Sequence, residues 1–339
     1  MLAIIHLYIV TIVIILFNCV GLFGNSNVVI AVFRAPTLRT KAGYLMAVLC
    51  ILQSICLLCE LANLRLYWRE DLFHIAMVVR ARTVMLYSFC FCFLSVYMFV
   101  IIAQSLMYFV IVVDMLIAVA LPLRHRLWST SLYVIFMCMG PVLVAAVALI
   151  ASYYYRTVEV EEAKPQTVRR TVMSAITILL MVCNSAAIVV MLALLGIVMR
   201  NEKKLRGSRH RGGGSIAPAV NNKTVRVFFV LVTVFVCTWY SSVASVLFEV
   251  TLNLKLPKEF EDDFVMLSII PALVAYSQNF FGLYVCPRYA PVLHQQVAWL
   301  KKFFGCGTTS SGTNERVTQV ASKNPSVRAP TNSSSDTSV

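Results

Sequence analysis

Residues 83–113 read TVMLYSFCFCFLSVYMFVIIAQSLMYFVIVV and contain no Asp, Glu, Lys or Arg. An α-helix rises about 1.5 Å per residue, so roughly 20 apolar residues span the hydrocarbon core of a bilayer. Burying one ionised side chain there costs at least about 2.5 kcal/mol. A run of this length and composition therefore predicts a helix that crosses a membrane.

Six further charge-free stretches accompany this run along the chain. They cover residues 1–33, 42–59, 127–155, 171–199, 227–248 and 264–287. Hydrophobic residues make up 60% of the sequence and charged residues 13%, whereas soluble domains have about 25% charged residues. Backbone polar groups in lipid must be satisfied within their own segment, which favours helices over strands. We predict an all-α membrane protein with a seven-helix transmembrane bundle over residues 1–287.

The limits of the predicted elements follow from where charged and polar residues begin. The seven helices are expected at approximately 3–33, 42–66, 83–113, 129–155, 171–199, 225–252 and 264–286. Apolar residues then recur at helical spacing on one face of residues 288–305, which predicts a short amphipathic eighth helix in the membrane interface. Residues 306–339 are rich in Ser, Thr, Asn and Gly and are expected to form a disordered cytoplasmic tail.

The charges of the connecting segments predict the orientation in the cell membrane. One alternating set, with 19 Lys and Arg against 4 Asp and Glu, comprises 34–41, 114–126, 200–226 and 288–339. The other set, with 10 against 11, comprises 60–82, 156–170 and 249–263. Lys and Arg mark the cytoplasmic side, so the N-terminus is expected outside and the C-terminus inside. The net charge of +14 then reflects orientation, and no nucleic-acid-binding motif accompanies it.

Several short motifs occur in the order and on the sides found in rhodopsin-like G-protein-coupled receptors. Gly24-Asn25 resembles the first-helix signature of these receptors. Residues 114–125, DMLIAVALPLRH, resemble the end of the third helix and the second inner loop. Residues 278–281, QNFF, resemble the seventh-helix Asn motif in its nematode form. Glu60 lies seven residues after the polar site Gln53, a spacing found in the nematode Srsx class of serpentine chemoreceptors.

The chain therefore resembles the Srsx class within the rhodopsin-like receptors. The resemblance implies a receptor for an extracellular ligand that signals to a heterotrimeric G protein, without a cofactor. Residues with a motif role in the bundle are, by the same resemblance, Asn25, Gln53, Trp239, Asn279 and Tyr284.

The chain departs from the family pattern at several of these places. Met115 stands where the family has the Arg that follows the third-helix Asp, which implies weak or atypical G-protein coupling. Gln53 replaces an acidic residue, so the family's inner sodium site lacks its anion. Trp239 lacks the nearby Pro of the sixth-helix motif, and Tyr284 is displaced by one position.

Asp114, Met115, Pro122 and Arg124 form the predicted switch region on the G-protein side. Asp114 lies where the third helix leaves the membrane. The sequence leaves two interpretations open. Asp114 is either part of a conformational switch or a solvated carboxylate that pairs with Arg124, Arg126 or lipid headgroups.

Glu60, Tyr97, Ile101 and Tyr240 are the candidate lining of a ligand pocket. An ionisable residue at membrane depth indicates function by default, but Glu60 could also reach the outer interface and meet water or Arg65. The aromatic residues could equally serve packing alone. Tyr97 occupies the position where aminergic receptors carry Asp, which argues against a monoamine ligand. No Lys lies within 264–287, so a retinal Schiff base is excluded.

The cytoplasmic segments suggest three further contacts. The basic loop 200–226 is expected to attract anionic lipids. Cys306 follows the eighth helix and is either a palmitoylation site or a free thiol. Thr337 and Val339 match a C-terminal ligand for PDZ domains. Such a domain would bind the tail as an added strand at the edge of its sheet. The alternative is a tail that binds no partner.

Two other functional classes compete with a receptor. A small transporter or channel would place ionisable groups or broken helices at the midplane, often in internal repeats, and the spans show neither pattern. A membrane enzyme would need a cluster of His, Asp and Glu for acid–base or metal chemistry. The spans contain no such cluster, so we expect neither an enzyme nor a metal site.

The predicted topology can be tested with epitope tags placed in the 200–226 loop and in the C-terminal tail. Both tags should be stained only after the cells are permeabilised, because both segments carry the excess of Lys and Arg. A tag at the N-terminus should be stained on intact cells. Staining of either cytoplasmic tag on intact cells would contradict the orientation.

Overall fold

A computed structural model describes residues 2–73, 82–162, 167–209, 222–252 and 258–303 of the protein. Over these ranges the chain forms nine α-helices and a short 3₁₀ turn at Pro36–Leu38, without β-strands. The helices are α1 Leu2–Arg34, α2 Lys41–Phe73, α3 Arg82–Ala120, α4 Pro122–Leu127, α5 Thr130–Glu162, α6 Thr167–Arg209, α7 Asn222–Leu252, α8 Lys258–Val285 and α9 Ala290–Phe303.

Six of these helices (α1, α2, α3, α5, α6 and α7) are each long and apolar enough to cross a membrane. A seventh span is obtained if Ile269–Val285 is counted together with Ala290–Trp299, which lies beyond a bend of 103°. The all-helical membrane bundle expected from the charge-free runs is thereby confirmed. The helices continue past several of these runs, because charged residues are tolerated where a helix leaves the hydrocarbon.

The bend between α8 and α9 has a local cause. Pro287 has no backbone N–H and cannot continue the hydrogen-bond ladder of α8. The chain turns instead through hydrogen bonds from the backbone N–H groups of Tyr289 and Ala290 to the carbonyl of Cys286, at 3.0 and 2.8 Å. Tyr289 is buried at this corner. Its burial raises the pKa of the hydroxyl, while the nearby charge of Arg288 opposes that shift.

The helices pack around α3, which contacts α2, α5 and α6, while α1 packs against α2 and α8. The centre of the bundle is marked by the rings of Tyr108 and Phe235, which stack with centroids 3.8 Å apart. The apolar window of α5 is only 17% buried, and large side chains such as Phe136 are exposed on it. An apolar helix face of this kind is expected to contact lipid tails.

Gly24 lets α1 approach α8 closely. A Cβ atom built on Gly24 would lie 2.5 Å from the Cβ of Phe280, whereas one built on Gly196 of α6 would meet no atom within 4 Å. Phe280 cannot swing away at its Cβ, so a side chain at position 24 requires the two helices to separate. The first-helix Gly-Asn pair therefore has a packing reason in this chain.

We predict that Gly24→Ala destabilises the protein by about 1–3 kcal/mol, the usual cost of overpacking. Gly196→Ala is the matched control, since it adds the same methyl group at an open site and should cause no loss. The measurement is thermal unfolding of the detergent-purified protein. Equal melting temperatures for the two variants would contradict the close packing of α1 against α8.

Candidate functional site

Three polar side chains join α2, α3 and α8 in the middle of the bundle. Gln53 donates from Nε2 to the hydroxyl of Tyr108 at 2.9 Å and to the carbonyl of Ala275 at 3.3 Å. Asn279 donates from Nδ2 to Oε1 of Gln53 at 2.5 Å. The Tyr108 hydroxyl donates in turn to Oδ1 of Asn279 at 3.1 Å. We refer to Gln53, Tyr108 and Asn279 as the core triad.

The core triad does not fit the sodium ion that the resemblance implies at this depth. All three members are neutral and fully or almost fully buried. Both donor positions of the Gln53 amide and its oxygen are engaged by protein groups. A cation would find no negative charge here, and the Gln53 amide oxygen already accepts a hydrogen bond from Asn279.

The remaining motif residues also connect helices. Asn25 donates from Nδ2 to the carbonyl of Tyr276 at 3.0 Å and so joins α1 to α8. Trp239 is buried on α7 beside Tyr240, with ring centroids 5.7 Å apart. Tyr284 contacts His294 of α9, with centroids 4.1 Å apart.

Glu60 and Tyr97 meet near one end of the bundle. Glu60 is only 4% exposed, and its Oε1 accepts a hydrogen bond from the Tyr97 hydroxyl. Tyr276 of α8 lies close enough to interact with both residues. We refer to Glu60, Tyr97 and Tyr276 as the carboxylate site.

The other two candidate pocket residues lie differently. Ile101 is one turn further along α3 and packs against the apolar core. Tyr240 hydrogen-bonds to Ser185 and to the carbonyl of Met181, the latter at 2.6 Å. The structure therefore brings Glu60 and Tyr97 together, while Tyr240 links α7 to α6.

Asp114 and His125 meet near the opposite end. The Asp114 side chain is 2% exposed, and its Oδ1 lies 3.0 Å from Nε2 of His125. The amine of Lys41 donates to the backbone carbonyl of His125 and lies 5.0 Å from the ring centre of Tyr133. Asp114 is thus a buried carboxylate with a histidine partner, whereas Arg124 is exposed. The interpretation of Asp114 as a solvated carboxylate does not hold in this structure.

The rest of the predicted switch region is explained by local structure. Met115 is partly buried and packs against the apolar core. Pro122 is the first residue of α4, a position where its missing N–H leaves no donor unpaired. Because α4 folds back directly after α3, it carries His125 to the Asp114 carboxylate.

Sequence reasoning missed four polar residues of these clusters: Lys41, Tyr108, His125 and Tyr276. A signal for Tyr108 was present, because Tyr97, Ile101, Gln104 and Tyr108 are spaced by four, three and four residues and share one face of α3. His125 was part of the recognised loop motif without being singled out. Cys306, Thr337 and Val339 lie outside the described residues.

Comparison with known proteins agrees with this architecture. Residues 18–294 match the model of the "serpentine type 7TM GPCR chemoreceptor Srsx" family. The chain belongs to this family. Members are seven-transmembrane receptors of the G-protein-coupled type, so the predicted family and receptor function are confirmed. No curated protein matches the sequence significantly.

The fold of this Srsx chemoreceptor is similar to that of squid rhodopsin. The crystal structure of squid rhodopsin superposes with a TM-score of 0.61 over 90% of this chain and 88% of the rhodopsin chain. The sequences are 15% identical, so this likeness supports the fold alone.

We predict that Tyr108→Phe lowers the stability of the receptor by about 1–3 kcal/mol. The substitution keeps the stacked ring but removes the hydroxyl that accepts from Gln53 Nε2 and donates to Asn279 Oδ1, and the loss of these buried hydrogen bonds has a cost in this range. Tyr44→Phe is the control, because it keeps the edge contact of this ring with Phe33 and the Tyr44 hydroxyl has no hydrogen bond within the described residues. Thermal unfolding of both purified variants is the measurement, and an unchanged melting temperature for Tyr108→Phe would exclude a stabilising triad.

Proposed function

We propose that this receptor binds its extracellular ligand at the carboxylate site and signals to a heterotrimeric G protein from the region around Asp114. The observation that carries the proposal is the placement of two buried carboxylates near opposite ends of the same helices. Glu60 lies close to the end of the α2 span Lys41–Ala62, and Tyr97 close to the start of the α3 span Ser95–Ala120. Lys41 and Asp114 lie at the other ends of these spans.

The proposed orientation is supported by the charges of the connecting segments. Glu60 and Tyr97 lie at the end that the Lys and Arg distribution predicts to be extracellular. A ligand arriving from outside would meet this end first. The second inner loop, with α4, would face the cytosol together with the part of α6 that continues to Arg209.

The core triad provides a physical link between the two ends. Helices α2, α3 and α8 each contribute one member to the triad and one to the carboxylate site, and α2 and α3 also supply Lys41 and Asp114. A ligand that changes how these helices pack at one end must alter the hydrogen bonds in the middle. Such a shift between two packed arrangements is how helical bundles transmit a signal.

The contact between Asp114 and His125 is proposed to hold the second inner loop in the resting state. In the family pattern an Arg follows the third-helix Asp, but here the neighbour is Met115, which has no charge. His125 reaches the same carboxylate from α4, and Lys41 fixes the backbone of His125 from α2. Coupling to the G protein would therefore be atypical and would depend on release of this loop.

Other partners follow from the same topology and extend the proposal. Anionic lipids of the inner leaflet are expected to contact the basic 200–226 segment. The amphipathic helix α9 is expected to lie in the membrane interface. Binding of a PDZ domain to Thr337 and Val339 stays a prediction from the sequence.

We predict that His125→Ala raises basal nucleotide exchange on G proteins by several-fold, because it frees α4 from Asp114. Arg126→Ala is the matched control, since Arg126 lies on the same helix and is exposed. The measurement is GTPγS binding in membranes that contain equal amounts of each receptor variant and a panel of G proteins.

A second arm of this experiment tests the role of position 115. Met115→Arg restores the charge of the family pattern and should raise coupling if the inner surface is otherwise intact. Strong coupling of the native receptor that falls with Met115→Arg would contradict atypical coupling. A decrease in exchange for His125→Ala would contradict the resting-state role of the Asp114 contact.

A further inference from the structure

We propose that Ser129 is a phosphorylation site for a protein kinase that recognises basic residues, and that release of α4 from Asp114 makes it available to that kinase. This inference rests on the cytoplasmic signalling region proposed above and adds its regulation. It is carried by the sequence before Ser129, by the exposure of that segment and by the contacts that hold α4 through His125.

Ser129 follows two arginines at a spacing that suits a basic-directed kinase. Residues 124–129 read RHRLWS, so that Arg126 lies three positions and Arg124 five positions before the serine. Side chains two residues apart point to the same side of an extended chain. Both guanidinium groups can therefore meet carboxylates along one wall of a substrate groove, which is a strong kind of contact.

The segment that carries this motif is exposed. None of the six residues of α4 is buried, and Arg124, Arg126 and Ser129 are all exposed. The Ser129 hydroxyl makes no hydrogen bond within the described residues. Ser129 directly precedes the apolar span Thr130–Ala151 of α5, so it lies at the edge of the hydrocarbon, on the side that the loop charges predict to be cytoplasmic.

The fold keeps this segment from a kinase while α4 is in place. A kinase binds its substrate as an extended chain, whereas Pro122–Leu127 form a helix. The ring of His125 lies 3.0 Å from the Asp114 carboxylate and packs edge-on against Tyr133, with ring centroids 5.4 Å apart. A helix of six residues is not stable by itself. Once His125 leaves Asp114, residues 121–129 can therefore unwind and enter the groove of the kinase.

The transfer needs only ATP and the kinase. The Ser129 Oγ attacks the γ-phosphorus of ATP, a new Oγ–P bond forms, and the bond from that phosphorus to the bridging oxygen of ADP breaks. The hydroxyl proton passes to the catalytic Asp of the kinase. The product carries nearly two negative charges at pH 7, against the two positive charges of Arg124 and Arg126. Both arginines can bind the phosphate, so we expect the modified loop to couple less well to a G protein.

The experiment measures phosphate incorporation without any G protein. The purified full-length receptor is incubated with ATP and protein kinase B, which prefers Arg at these two positions, and each labelled residue is quantified by mass spectrometry. Ser129 should be labelled faster than Thr37, which is also exposed and follows Arg34 by three residues but has Val32 in place of the second Arg. Labelling of Thr37 at the same rate as Ser129 would overturn recognition of the paired arginines.

Matched variants assign the recognition to the arginines. Arg126→Ala should lower the labelling rate of Ser129 by about tenfold, because it removes a charge-assisted contact with the kinase. Arg200→Ala is the control, since it removes one exposed Arg from α6 at the same predicted side of the membrane and should leave that rate unchanged. Equal labelling of Ser129 in the two variants would overturn the assignment.

Two further variants test the role of α4. His125→Ala should raise the labelling rate of Ser129 several-fold, because it frees α4 from Asp114. Asp114→Asn weakens the same contact from α3 and serves if His125→Ala does not fold. A rate equal to that of the native receptor in each variant that folds, or no label on Ser129 in any of them, would overturn the proposal. Failure of G-protein coupling would leave these labelling results standing, so the two proposals can fail separately.

Discussion

The structure depends on one constraint, which is that hydrocarbon offers no hydrogen bonds to polar groups and little stabilisation to charges. Helices satisfy the backbone within each segment, and the charged residues collect near the helix ends. Within the described residues, each buried ionisable side chain discussed above has a polar contact: Glu60 with Tyr97, Asp114 with His125, and Lys41 with the His125 carbonyl. The interior between these ends is held by neutral amides and phenols.

This constraint explains why the fold could be predicted from the sequence, whereas the hydrogen-bond partners of the buried side chains could not. Charge-free runs are a property of the linear sequence, so the membrane helices and the family motifs could be recognised without coordinates. The partner of Asp114 depends on the rotation of the six-residue helix α4. Arg124, His125 and Arg126 are consecutive residues, and any of them could have served by spacing alone. Only the direction of each side chain selects His125.

The same limitation applies to the proposed ligand site. Burial of Glu60 required a donor on a neighbouring helix, and the sequence gives no distance between α2 and α3. Tyr240 is predicted from the sequence to line the same candidate pocket as Glu60. In the structure its hydroxyl instead donates to the Met181 carbonyl on α6, at 2.6 Å. Helical periodicity indicates which residues face inward, but it does not indicate which neighbour they meet.

The two main departures from the family pattern, Gln53 and Met115, both lack the charge of the residue that they replace. Each replaces a charged residue with a neutral one along the path between the two ends of the bundle. Hydrogen bonds between neutral groups contribute about 0.5–1.5 kcal/mol each, whereas bonds to charged groups contribute about 1.5–3 kcal/mol. In the proposed signalling mechanism, a resting state held by the core triad and one histidine–carboxylate contact is therefore separated from its alternatives by a smaller free-energy gap. Because about 1.4 kcal/mol changes a population tenfold, even a ligand with modest preference for one arrangement could shift this receptor between states.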